Sequence, residues 1–213
     1  MTNTKLSKLF ITGCDASAEW MLPWFVENLR KHTDIPLMIF DFGMEGSLYP
    51  ELRKSCRTNA KGWFKKPSAM VKAAAFADQV CWLDTDCEVL GDISGVFDYI
   101  VPNKLSMVQD KPWTTRQRQM WHNSGVVAFQ DVPQILKEWE QMCMAPPARG
   151  DQEVLHWMLG DNPLNRMIHI EDIPNRYNVL RLQHIDNTVP KNPLIYHWTG
   201  AKGKDHIRKL MNG

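Results

Sequence analysis

The most constraining stretch of this sequence is Val80-Cys81-Trp82-Leu83, four apolar residues that run directly into Asp84-Thr85-Asp86. An apolar run without alternation suits a strand covered on both faces, as in a parallel sheet packed under helices. Side chains two apart along an extended chain share one face, so Asp84 and Asp86 present both carboxylates to one side. Open α/β sheets hold their ligands at the carboxyl ends of strands. Two carboxylates with coordination positions left open suit Mg²⁺ or Mn²⁺ bridging to phosphates. An isolated D-x-D is weak, and a polar strand end capping a nearby helix is the plain alternative. The strand before it and the resumed apolar pattern of Cys87–Leu90 after it give the motif its weight.

Around this strand the chain alternates between the two periodicities. Strands are predicted at 9–12, 36–42, 105–109, 125–130 and 193–198. Helices are predicted from Pro23 to Lys31-His32, from Pro67 to Ala77, from Val132 to Met144 where Pro146-Pro147 breaks the pattern, and from Asp151 onward. A short helix is expected near 47–56, and the basic tail after Trp198 reads as helical. This order predicts an α/β fold, one domain with a mostly parallel central sheet flanked by helices. Residues 1–100 would form a nucleotide-binding half and residues 101–213 an acceptor and sugar half.

Composition narrows the partners. A formal net charge of +1 argues against duplex DNA or an anionic membrane as a partner, so any bound anion needs a local site. The five cysteines are odd in number and contain no C-x-x-C, which points to a reducing compartment, the cytoplasm, rather than a disulfide framework or zinc site. The N-terminus lacks the apolar run of a signal peptide, and no stretch is apolar enough to span a bilayer. Among nine tryptophans, most of which should pack the core, Trp113 and Trp121 lie in a polar stretch and are the best placed to stack on a sugar.

Four segments together resemble one family. Val80–Ile93 reads as apolar strand, D-x-D, second strand and Gly-Asp-Ile; His122-Asn123-Ser124-Gly125-Val126-Val127, Gly150-Asp151-Gln152 and Tyr196-His197-Trp198-Thr199-Gly200 follow in order. This set is similar to the glycogenin-like retaining glycosyltransferases of family 8, which have the GT-A (Rossmann-like) fold. The resemblance implies that Asp84, Asp86 and His197 hold Mn²⁺ or Mg²⁺ against the diphosphate of a nucleotide-sugar donor, usually a UDP-sugar. It implies Thr12 and Asp15 at the base and ribose, Lys66 at a phosphate or the ribose, and Gly200 where the backbone approaches the phosphates. The family places a lysine six residues after the histidine; here Gly203 stands there, and whether Lys202 or Lys204 substitutes is left open. Asp151 and Gln152 would lie on the far side of the sugar, and Asn123 would bond the sugar or steady Asp151. Asp110–Trp121, with Lys111, Arg116 and Arg118, is expected to be a mobile loop over the site. The acceptor, a glycan, lipid-linked molecule or protein, is not specified, and retention is the family expectation, since Asp151 can also serve an inverting enzyme as base.

Three rivals stand beside this reading. A haloacid-dehalogenase-type phosphatase would use Asp84 as nucleophile and Asp86 as general acid, but it carries its D-x-D near the N-terminus. A nucleotidyltransferase would want a basic Gly-rich loop after the first strand, where Gly13-Cys14-Asp15-Ala16-Ser17 has no cation. A non-catalytic nucleotide-sugar-binding module would have no need of the full Asp, Gln and His set.

Overall fold

A computed structural model describes residues 5–146 and 148–212. In chain order the elements are β1 (Leu6–Cys14), α1 (Leu22–Arg30), β2 (Leu37–Asp41), β3 (Arg53–Ser55), α2 (Lys66–Ala73), β4 (Ala77–Leu83), β5 (Cys87–Val89), β6 (Leu105–Gln109), α3 (Lys111–Gln117), β7 (His122–Gln130), α4 (Gln134–Met144), α5 (Asp151–Leu159), α6 (Pro163–His169), β8 (Ile170–Asp172), β9 (Val179–Leu180), α7 (Arg181–Ile185), β10 (Ile195–His197) and α8 (Gly200–Asn212). The central sheet has seven strands in the order β3-β2-β1-β4-β7-β6-β8. Its pairs are parallel except those that β7 makes with β4 and β6. A small sheet, β5-β10-β9, brings Cys87 opposite His197 and so carries the C-terminal segment to the end of β4.

The β4 run is buried on both faces, as its composition requires. Val80 and Trp82 pack with Leu9, Ile11, Met70, Val127, Trp139 and Leu155, under α2, α4 and α5. Cys81 and Leu83 pack with Phe10, Phe25, Val126, Val89 and Ile195, under α1 and the small sheet. Each large apolar side chain enclosed this way contributes about 1.5–3 kcal/mol. The result is one α/β domain with its core split between the two faces of one sheet.

Several boundaries differ from expectation. No helix forms over 47–56; β3 instead joins the sheet edge parallel to β2, held by Arg53 against Asp41 at 2.6 Å. The intervening backbone is tied by the Glu19 carboxylate, which accepts from the N–H groups of Glu45 and Gly46 at 2.9 Å. Tertiary pairing overrides local helix preference there. Helix α2 stops at Ala73, because Ala77 is already paired with Leu6 in the sheet. The 110–121 segment is not a loop: α3 occupies most of it, with the Asp110 side chain accepting from Trp113 N–H at 3.0 Å as N-cap. Pro147, expected with Pro146 to end α4, and residues 1–4, on which the reading of the N-terminus rests in part, lie outside the described residues.

Candidate active site

The carboxyl ends of β1 and β4, the start of α2 and the start of α5 enclose a cavity of about 370 Å³. Asp15, Lys66, Asp84, Asp86, Asp151 and Lys204 line it, together with Trp63, Trp82 and Arg149. Asp84 and Asp86 leave the end of β4 on one side, and β10 delivers His197 beside them. One ligand atom from each of the three lies within 4.8 Å of the others. His197 Nε2 is 3.0 Å from Asp86 Oδ1 and 3.6 Å from Asp84 Oδ2. Asp84 and Asp86 line the cavity and His197 is buried beside them; two carboxylate oxygens and one imidazole nitrogen are a donor set that fits Mn²⁺ or Mg²⁺, with the nitrogen favouring manganese. Gly125 makes room for the ring, because a Cβ there would overlap His197.

Electrostatics hold these side chains together. Lys66 is 4% exposed, its Nζ lying 2.9 Å from Asp84 Oδ1 and 3.2 Å from Asp151 Oδ2. Burial opposes its charge, yet Asp151 and then Asp84 outweigh that and raise its pKa. Burial pushes Asp84 upward, but Lys66 and His197 pull it below the usual carboxylate value, helped by Trp82 Nε1–H donating at 2.6 Å. Burial would lower His197, but Asp86 and Asp84 hold it above the ordinary imidazole value. Cys14 also faces the cavity; burial pushes its thiol up to about 12, so it offers no thiolate nucleophile near neutral pH.

Behind the cavity is a network of amides. Asn123 Nδ2 donates to Gln152 Oε1 at 2.8 Å, and Gln152 Nε2 donates to Asp110 Oδ2 at 3.1 Å. Burial raises the pKa of Asp110 more than the bonds from Trp113, Gln152 and Asn123 lower it. Asn178 bridges His197 Nδ1 (3.0 Å) and Asn123 Oδ1 (2.8 Å). Asp110 and Asn178 are the residues that sequence reasoning missed as site members. The Asp-x-Pro start of α3 signals an N-cap, which accounts for only one of the Asp110 oxygens. Nothing local marks Asn178.

Other expected site residues land differently. Thr12 does not reach the cavity; it is fully buried in β1, its hydroxyl without a hydrogen-bond partner. Asn123 does not touch Asp151, since its bonds go to Gln152, Asp110 and Asn178. Asp151 is not an N-cap: Gly150 is, and the Asp151 carboxylate sits in the first turn of α5, where the helix dipole favours an anion. Gly200 opens α8 at φ 74°, a left-handed backbone that favours glycine, rather than facing the cavity. Gly203 packs so closely on the Trp198 backbone that no side chain fits, which explains the absent lysine. Lys204 lines the cavity and Lys202 points to solvent, away from it. Trp121 stacks on His156 at 3.6 Å, an internal packing role, while Trp113 is 42% exposed beyond it.

No protein-family model matches the sequence, and no curated protein does. Solved structures do. The apo-form glycosyltransferase GlyE of Streptococcus pneumoniae TIGR4 superposes at TM-score 0.64 with 16% identity, over 92% of this chain and 55% of that one. The fold is that of GT-A glycosyltransferases. The galactosyltransferase LgtC, solved with donor and acceptor sugar analogues, gives 0.58 at 13% identity over 97% of this chain and 95% of that one. A glycosyltransferase involved in glycosylating the major capsid of PBCV-1 gives 0.64 at 14% over 97% and 100%. The chain spans about half the length of GlyE. Among the described residues no helix is long and apolar enough to cross a membrane.

Proposed function

We propose that the chain is a metal-dependent glycosyltransferase that transfers a sugar from a nucleotide-sugar donor, a UDP-sugar, to a glycan, lipid-linked or protein acceptor, with retention as in family 8. The observation that carries this reading is the cluster of Asp84, Asp86 and buried His197, whose two carboxylates line the same cavity as Asp15, Lys66, Asp151 and Lys204. A bound Mn²⁺ or Mg²⁺ supplies positive charge against the diphosphate. The chain does the rest: Lys204 adds a cation at the phosphates, and Asp15 at the end of β1 meets the nucleoside. Lys66, shared between Asp84 and Asp151, sets the charge at the sugar's reacting carbon. Asp151 and Gln152, on α5, hold the far side of the sugar, where positive charge develops as the bond to the diphosphate breaks.

The phosphatase alternative fits less well. Its D-x-D belongs at the end of the first strand, whereas here β1 ends on Cys14 and the motif follows β4, which pairs antiparallel with β7. The five cysteines are all buried and unpaired, which supports a reducing, cytoplasmic setting. The test is release of UDP from UDP-glucose, UDP-galactose and their N-acetyl forms, with Mn²⁺ and with chelator. Metal-dependent release that Asp151→Asn suppresses by about 100-fold supports the proposal. Hydrolysis of p-nitrophenyl phosphate without UDP release would transfer the site to the phosphatase reading.

A further inference from the structure

The bonds of the amide network all run one way. Gly125 N–H donates to Asn123 Oδ1 at 2.9 Å and Ser124 N–H donates to Gln152 Oε1 at 3.3 Å. Both side-chain oxygens are therefore fixed as acceptors by the backbone, and both amide nitrogens must face the other way. Asn123 Nδ2 then donates to Gln152, and Gln152 Nε2 to Asp110, whose carboxylate meets only donors. Asn178 has to turn its Nδ2 to Asn123 Oδ1, which leaves its own Oδ1 facing His197 Nδ1. That ring nitrogen is thereby the donor. Asn178 is fully buried, so no water competes for these bonds.

We propose that Asn178 is a positioning residue coupling the metal site to the sugar side: by accepting from His197 Nδ1–H it fixes the ring with Nε2 turned to Asp86 and the metal position, and through Asn123 it orients Gln152. Histidines that bind metals are commonly fixed by such a bond from the other ring nitrogen. What is particular here is that the same hydrogen-bond chain continues to Gln152 and Asp110, so the orientation of the ring and the aim of the amide are one decision. The consequence for turnover rests on the transferase reading; the coupling itself is a property of the chain.

Two substitutions separate the roles. Asn178→Asp keeps an acceptor for His197 Nδ1–H but places a second acceptor against Asn123 Oδ1. It should hold Mn²⁺ affinity within about threefold, while kcat for UDP-sugar hydrolysis falls about 10–100-fold with KM little changed. Asn178→Ala should lose about 10–100-fold in Mn²⁺ affinity as well. Two readouts need no turnover. The His197 Nδ1–H proton should give a slowly exchanging resonance in wild type that Asn178→Ala abolishes. The Gln152 side-chain amide resonances should move in Asn178→Asp. No protected His197 Nδ1–H in wild type, unmoved Gln152 resonances, or an Asp variant whose metal affinity falls together with its melting temperature would overturn the coupling. If wild type binds neither Mn²⁺ nor UDP, the transferase reading fails, and the two NMR measurements still decide the coupling.

Discussion

The charged cluster at the cavity and the amide network behind it are built from different chemistry. In the cluster Lys66 lies 2.9 Å from Asp84, and His197 lies 3.6 Å from Asp84 and 3.0 Å from Asp86. In the network Asn123, Gln152 and Asn178 are neutral amides joined by directed hydrogen bonds. Charges tolerate a changed angle but not a missing partner, because an unpaired buried charge is costly. Amide networks tolerate little loss of geometry, yet each bond contributes only about 1 kcal/mol net. On the proposed function, the charged cluster should therefore fail in stability and binding when a partner is removed, and the amide network in turnover.

The sharpest way to break this contrast is Lys66→Met. It leaves Asp84 and Asp151 facing each other, and thermal unfolding of the metal-free protein should show a loss of about 3–5 kcal/mol, partly recovered by Mn²⁺. Gln152→Ala should cost only about 1–2 kcal/mol in the same measurement while removing most turnover. A Gln152 variant as unstable as the Lys66 variant would erase the distinction.

Gly203→Ala tests the join between α8 and Trp198. Overpacking against the backbone should cost about 1–3 kcal/mol and shift Lys204 out of register. Lys204→Ala should weaken UDP binding about tenfold by calorimetry, and Lys202→Ala should leave it unchanged. Equal effects from both lysines would contradict the placement of α8.

The smallest effect is on pH. His197 has a raised pKa in the metal-free chain, so its stabilisation is fully present below the unfolded value of about 6.5 and is lost as the pH rises through the higher folded value. Metal competes with the same proton, so Mn²⁺ affinity should fall as the pH is lowered through that folded value. A metal affinity independent of pH across this window would remove His197 from the ligand set.

Legibility in the sequence follows the same division. The β4 run and its D-x-D are local: four apolar residues demand a covered strand, and two carboxylates two apart demand one face. The histidine that ends β10 and the Asp-Gln start of α5 are legible only because short motifs keep their order. Asn178 was invisible, because it reaches His197 across the β9–β10 pairing and Asn123 by tertiary packing alone. Helix α3 was missed because its polar, Trp-containing sequence has no apolar period, and its stability comes from the Asp110 cap and the Arg116 ion pair with Asp186 at 2.9 Å. Thr12 was misplaced along the strand: Gly13, Cys14 and Asp15 line the cavity, while Thr12 lies one residue too early and stays buried within the sheet.

The central claim, a metal-bridged nucleotide site, is tested most directly by titrating the protein with UDP in the presence and absence of Mn²⁺, for wild type and for Asp86→Ala. Micromolar binding that needs both the metal and Asp86 is the predicted result, about 8 kcal/mol of binding free energy in wild type. UDP binding unaffected by the metal or by Asp86→Ala, or no nucleoside diphosphate binding with metal present, would contradict it.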